Sequence, residues 1–230
     1  MKGVALITGA GRGIGRATAI ELGRSKYQLS LVSRSVRELE ETAQRAGGGL
    51  VLPADVTRPE QLEAAVKRTI ETYGQLDAII HCAGVAPAKS LEETSIDDWH
   101  DVLNSNLSSA FYVAKFAWPH LKASQGVIVL LSSAAARDPF PGFIAYAPAK
   151  AGINLLALTL AREGAAHGIR AHSIAPAAVE TAMLRKLLTP EQYPTEKTLA
   201  PADVATVIAQ CVRGDLRHAS GETIYLQKSP

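Results

Sequence analysis

The chain has 230 residues, of which 47% are hydrophobic and 20% charged, and its formal charge is +2. That length supports one α/β domain, residues 1–230, with a large core. The small net charge gives no reason to expect nucleic acid or an anionic membrane as a partner, and no stretch approaches the roughly 20 apolar residues of a membrane span.

The N-terminal apolar run is too short for a signal-peptide core and leads straight into a glycine turn. Short apolar runs then alternate with amphipathic stretches. Strands are predicted at 4–8, 29–33, 50–54, 78–81, 127–132, 170–174 and 223–226, and the first six are nearly all apolar, as in parallel strands buried on both faces. Helices are predicted near 13–25, 35–46, 59–73, 97–122, 146–167 and 201–213. This alternation predicts a Rossmann-like, doubly wound parallel sheet of about seven strands with helices on both faces.

Helix signals agree with the pattern. Thr57-Arg58-Pro59-Glu60 offers a cap, an early proline and an acidic first turn. Ser95 and Asp98 fit a capping box, and Ala200-Pro201-Ala202-Asp203 opens another helix. The stretch 184–200, with two prolines, is either a lid over a pocket or a surface connection.

Thr8-Gly9-Ala10-Gly11-Arg12-Gly13-Ile14-Gly15 joins the first strand to the first helix. Such glycines let a pyrophosphate approach the backbone amides at a helix N-terminus. The spacing Gly-x-x-x-Gly-x-Gly is neither the Gly-x-Gly-x-x-Gly fingerprint nor a Walker loop. The second strand ends in Ser33-Arg34, where an NAD-binding protein carries an acid for the ribose 2′-hydroxyl. Arg34, helped by Arg12, favours a 2′-phosphate, so NADP(H) is preferred and NAD(H) remains an alternative. Asp55-Val56 and Ala83-Gly84 also lie at strand ends where ligands bind. Asp55 serves either as an acceptor for the adenine amino group or as a local cap.

Tyr146 and Lys150 stand at i and i+4 on one helix face. A lysine ammonium there is expected to lower the tyrosine pKa and make it an acid/base near neutral pH. Ser133 lies thirteen residues upstream, beside Ser132. No Gly-x-Ser-x-Gly elbow suggests a hydrolase, and the six histidines show no metal-ligand spacing. Cys82 and Cys211, in apolar contexts, read as buried free thiols of a cytoplasmic protein, with a disulfide between them as the rarer alternative.

In order and spacing these motifs resemble the short-chain dehydrogenase/reductase family over residues 3–226, with a pattern similar to the 3-oxoacyl-(acyl-carrier-protein) reductases. The resemblance implies that Tyr146 is the general acid in carbonyl reduction and the base in alcohol oxidation. It implies that Ser133 binds the substrate oxygen and that Lys150 holds the nicotinamide ribose. Asn106 would anchor a water joining Lys150 to a proton relay. Pro176, Val179 and Thr181 would border the nicotinamide. A small carbonyl or alcohol is the implied substrate, and a homodimer or homotetramer the implied assembly. Ala134, Phe140, Phe143, 85–87 and Met183 would frame an apolar pocket, although the two phenylalanines also suit simple loop packing. Two other readings stand beside this one. A carrier-protein reductase would use Arg137, Arg185 and Lys186 as a docking patch, and a non-catalytic NADP(H) scaffold or sensor would have no need of Ser133.

The chain departs from the family pattern in three places. His81-Cys82 stands for the usual Asn-Asn, Ala177 for the glycine after Pro176, and Lys228-Ser229 for a C-terminal glycine pair. The methyl of Ala177 is expected to restrict the backbone there.

Overall fold

The computed structural model describes residues 2–228; Ser229, part of the third departure, lies outside the described residues. Seven strands form one parallel sheet in the order β3-β2-β1-β4-β5-β6-β7. They are β1 (Val4–Thr8), β2 (Gln28–Ser33), β3 (Leu50–Pro53), β4 (Ala78–His81), β5 (Val127–Leu131), β6 (Arg170–Pro176) and β7 (Thr223–Leu226).

Each central strand divides its side chains between two cores because successive residues point to opposite faces. Val4 and Leu6 of β1 join Ile128 and Leu130 of β5 in one core. That core is closed by α3 (Pro59–Tyr73), α5 (Ser109–Ser124) and α6 (Tyr146–Gly164). Ala5 and Ile7 join Val127 and Val129 in the other, closed by α1 (Gly13–Arg24), α2 (Val36–Ala46) and α8 (Pro201–Arg213). Both faces are covered, so the strands need apolar residues at every position. The continuous apolar runs in the sequence reflect that requirement.

Strand order reverses between β1 and β4, with Thr8 level with His81. Open α/β sheets bind ligands in the crevice at such a switch, beyond the carboxyl ends of the strands.

Three local expectations change. The helix predicted over 97–122 is interrupted: α4 (Ile96–Leu103) passes into a π turn, Asn104–Ser108, before α5. Periodicity over so long an apolar stretch does not reveal one extra residue per turn. Thr57 does not cap α3; Arg58 occupies the cap position without a side-chain bond, and Thr57 Oγ1 donates to Asp55 Oδ1 instead (2.8 Å). The 184–200 stretch is partly helical, with α7 (Ala182–Leu187) and a single 3₁₀ turn at Thr195–Lys197. The Ser95–Asp98 capping box forms as expected, with Ser95 N donating to Asp98 Oδ2 (3.0 Å) and Asp98 N to Ser95 Oγ (3.0 Å).

Candidate active site

The glycine turn crosses directly above the end of β4. Gly9 takes φ +66°, and a Cβ there would lie 2.8 Å from the Ala83 nitrogen. Only glycine allows this approach, so Gly9 and Ala83-Gly84 form one backbone surface. Arg16, which sequence reasoning passed over, secures the turn from behind. Its Nε donates to the Gly11 carbonyl (2.9 Å) and to Thr42 Oγ1 (3.1 Å), while Nη1 binds Glu41 (2.7 Å).

At the outer end of the crevice, Ser33 Oγ is buried without a hydrogen-bond partner. It faces Gly11 together with the carboxylate of Glu38. Arg12 is exposed and lies 3.9 Å from Glu38. Arg34 is exposed too, and its charge helps hold Asp55 below the ordinary carboxylate range, after the larger effect of the Thr57 backbone N–H. Asp55 Oδ1 accepts both from that N–H (2.9 Å) and from the Thr57 hydroxyl (2.8 Å), which is the local-cap geometry. Glu38 carries no sequence signal for the site, because it lies four residues beyond Arg34 on α2 and only the tertiary fold brings it to Gly11.

At the inner end, the π turn aims Asn106 into the protein. Its Nδ2 donates to the carbonyls of Val102 and Val85, each at 2.9 Å. Its Oδ1 is buried without a partner, and a Cβ on Gly84 would lie 2.4 Å from it. Lys150 is buried, with Nζ donating to the Leu131 carbonyl (2.7 Å) and standing 5.6 Å from the Tyr146 ring centre. Burial lowers its pKa to about 8.

Burial also raises the Tyr146 pKa, and the opposing influence is a hydrogen bond with Ser133 rather than the Lys150 charge. The expected lowering by Lys150 is therefore not seen in this geometry, in which desolvation outweighs it and the ammonium donates to the Leu131 carbonyl at the end of β5. The two adjacent serines divide their tasks. Ser132 Oγ donates to the Lys150 carbonyl (3.0 Å) and ties α6 to the sheet. Ser133 Oγ, beside Tyr146, accepts from Ala135 N (3.2 Å).

His81 closes the space beneath this centre. Its Nδ1 lies 2.8 Å from Thr8 Oγ1 and its Nε2 lies 3.0 Å from Ser109 Oγ. Ser109 Oγ donates to the Ser105 carbonyl (2.9 Å), so it accepts from His81, which carries its proton on Nε2. Nδ1 then accepts from Thr8 Oγ1, and Thr8 Oγ1 accepts from Ala83 N (3.4 Å). Every group in this chain is satisfied with the ring neutral. Desolvation, then the Lys150 charge, drives the His81 pKa down to about 3. The imidazole thus connects the cofactor-side backbone to the π turn that carries Asn106.

Cys82 and Cys211 are free thiols, both pushed up to about 12 by burial. They are poor nucleophiles in this form. Ala177 causes no backbone strain: its φ is not positive, and its N–H extends the sheet by donating to the Leu226 carbonyl (2.8 Å).

The surrounding loops are pinned. Lys89 N donates to the Gly142 carbonyl (2.8 Å), and Lys89 Nζ binds Asp98 (2.7 Å). Phe143 packs edge-on to Tyr146 at 5.1 Å between ring centres, whereas Phe140 is 66% exposed and touches Phe143 at 6.1 Å. Thr181 caps α7, accepting from Leu184 N (3.3 Å). Val179 pairs with Leu199, closing the stem of the 184–200 lobe. Arg185 organises that lobe through Glu180, the Tyr193 carbonyl (2.8 Å) and Thr195 (3.1 Å). Among the described residues, no cluster of histidine, cysteine and carboxylate side chains could hold a metal, and no helix is long and apolar enough to cross a membrane.

The profile of the family described as short chain dehydrogenase matches residues 3–192. The chain belongs to that family. It is an oxidoreductase acting on alcohol or carbonyl groups. It is 34% identical to hydroxynaphthalene reductase arp2 of Aspergillus fumigatus over 80% of this chain and 68% of that protein. It is 31% identical to 3beta-hydroxysteroid dehydrogenase 1 of Eggerthella lenta over 96% and 90%. Identity with the 3-oxoacyl-[acyl-carrier-protein] reductase FabG of Staphylococcus aureus is 29% over 96% and 95%. The fold matches a crystal structure of 3-ketoacyl-(acyl-carrier-protein) reductase from Brucella melitensis complexed with NADH, with TM-score 0.92, 24% identity and coverage of 97% and 96%.

Proposed function

We propose that this short-chain dehydrogenase interconverts a small ketone and its secondary alcohol, with Tyr146 as acid/base and NADP(H) preferred over NAD(H). The observation that carries the reaction is the placement of Tyr146 with the buried Lys150 ammonium 5.6 Å from its ring centre, and of Ser133 close enough to oppose the rise in the Tyr146 pKa. The residues fit a dinucleotide. Ser33 Oγ and Asn106 Oδ1 are unpartnered polar atoms at the two ends of the crevice, and between them runs the surface of Gly9, Gly13, Gly15, Ala83 and Gly84. When bound, the nicotinamide supplies or takes the hydride.

Reduction of a carbonyl builds negative charge on its oxygen. Ser133 and Tyr146 donate hydrogen bonds to that oxygen, and Tyr146 delivers the proton. A tyrosine raised by burial holds its proton until that charge develops. Lys150, with a pKa of about 8, exchanges protons near neutral pH, and the unpartnered Asn106 Oδ1 would anchor the water that joins Lys150 to the relay. Pro176, Val179 and Thr181 border the nicotinamide, while Ile14 and Val56 line the dinucleotide. Arg34 and Arg12 attract the 2′-phosphate.

Docking of an acidic carrier protein draws less support, since Arg185 is committed to its own lobe. A non-catalytic scaffold would use the Ser133 hydroxyl only to cap the turn at Ala134–Ala136, where it accepts from Ala135 N. Exposed Phe111 on α5 and Leu155 on α6 support a homodimer or homotetramer, and the free thiols support a cytoplasmic location.

Absorbance of the reduced nicotinamide, followed with a panel of ketones and either cofactor, tests the reading. NADPH-dependent turnover lost in Tyr146→Phe is the expected result. Turnover retained in that variant would overturn the mechanism.

A further inference from the structure

We infer that the cavity beside Ser133 is an anion subsite in which Arg137 holds a carboxylate of the carbonyl substrate. This rests on the reaction proposed above and names the class of compound it acts on. The cavity is about 270 Å³ and is lined by Ala134, Arg137, Ala177, Tyr225, Leu226 and Gln227. Ala134 follows Ser133, and Ala177 follows Pro176 at the end of β6. One wall of the cavity is therefore a single residue along the chain from Ser133, at the carboxyl edge of the sheet. The cavity is slightly smaller than the roughly 300–1,000 Å³ of ordinary ligand pockets, a size suited to one end of a small molecule.

Its cation is held in a defined pose. The Arg137 guanidinium lies 4.2 Å from the Tyr225 ring centre. Tyr225 is held in turn by Asn154 Nδ2, which donates to its hydroxyl (3.4 Å), and Asn154 Oδ1 accepts from Ser173 Oγ (2.7 Å). That contact occupies the Tyr225 ring face, and the Arg137 side-chain N–H groups make no hydrogen bond among the described residues, so they are free for a carboxylate. Among the described residues, no carboxylate lies in ion-pair range of Arg137, its exposed neighbour Asp138 included. Of the other basic side chains of the carrier-docking reading, Arg185 is bound to Glu180 and Lys186 is exposed on α7, outside the cavity lining. Arg137 therefore remains the charge beside Ser133 that is open to a ligand.

The test is a series of straight-chain oxo acids of increasing length, each compared with its methyl ester, in the NADPH-saturated enzyme. At least one acid should exceed its ester by about tenfold in kcat/KM, carried by KM, as a charge-assisted bidentate contact gives. Arg137→Gln should collapse that acid-over-ester ratio, and Tyr225→Leu should reduce it partway. Esters matching their acids throughout the series, or a ratio unmoved by Arg137→Gln, would overturn the subsite. Calorimetric titration of the same acids into the NADP-saturated protein separates this proposal from the reaction itself. Arg137-dependent binding without turnover of any ketone keeps the subsite and refutes the reaction. Binding indifferent to Arg137→Gln refutes the subsite whatever the turnover.

Discussion

The two ends of the crevice are built differently. At the inner end, Asn106 and Lys150 are buried and donate to backbone carbonyls, and buried His81 bonds the hydroxyls of Thr8 and Ser109. At the outer end, Arg12 and Arg34 are exposed, and the nearest charge partner of Arg12 is Glu38 at 3.9 Å. A buried polar group must be satisfied, so it is held in one geometry. An exposed charge is screened by solvent and keeps its rotamers. Chemistry that needs a proton placed at one atom belongs at the first end. Choice between cofactors, which needs only a favourable field, is workable at the second.

This contrast predicts effects that shrink from the inner end outward. Tyr146→Phe should lower turnover by about 10²–10⁴-fold, while NADPH binding, followed by fluorescence titration, stays measurable. Arg34→Asp should shift the NADP/NAD ratio of kcat/KM toward NAD by about tenfold or more. Equal affinity of the parent protein for the two cofactors would refute the 2′-phosphate assignment. Glu38→Gln acts in the opposite direction: freed from its counter-charge, Arg12 should raise NADP preference by about two- to fivefold. A fall in preference would show that Glu38 supports the phosphate side of the site.

A further prediction, on stability rather than turnover, concerns acid. Unfolded, His81 takes up a proton near pH 6.5, whereas in the folded chain it does so only near pH 3. Between those values the unfolded state binds more protons, so stability falls as pH drops from 6.5 toward 3. His81→Asn removes this component. Urea titrations from neutral pH to pH 4 should show a flatter decline than in the parent, and an equally steep decline would assign the acid sensitivity to other groups.

Much of this architecture is legible along the chain. The strand positions follow from apolar runs, and the capping box at Ser95–Asp98 forms as its residue types require. The glycine turn is equally readable, because Gly9 occupies a backbone region and a close contact that other residues resist. The π turn is not readable, since residues 97–122 satisfy an ordinary helical pattern and only packing around Asn106 introduces the wider turn. The division of labour between Ser132 and Ser133 is also hidden. Neighbouring residues point to opposite sides, and only the location of the Lys150 carbonyl decides which hydroxyl becomes structural.

What the sequence by itself determined was the parallel α/β fold, the glycine turn after β1 and the residue types of the candidate centre. These depend on local periodicity, on glycine's backbone freedom and on spacing within single elements. Tertiary structure alone decided that His81 replaces an amide by bridging Thr8 and Ser109. It also decided that Tyr146 is raised rather than lowered in pKa, and that Glu38 faces Gly11 beside Ser33. Each of those outcomes depends on burial and on partners from distant parts of the chain, which chain order does not encode.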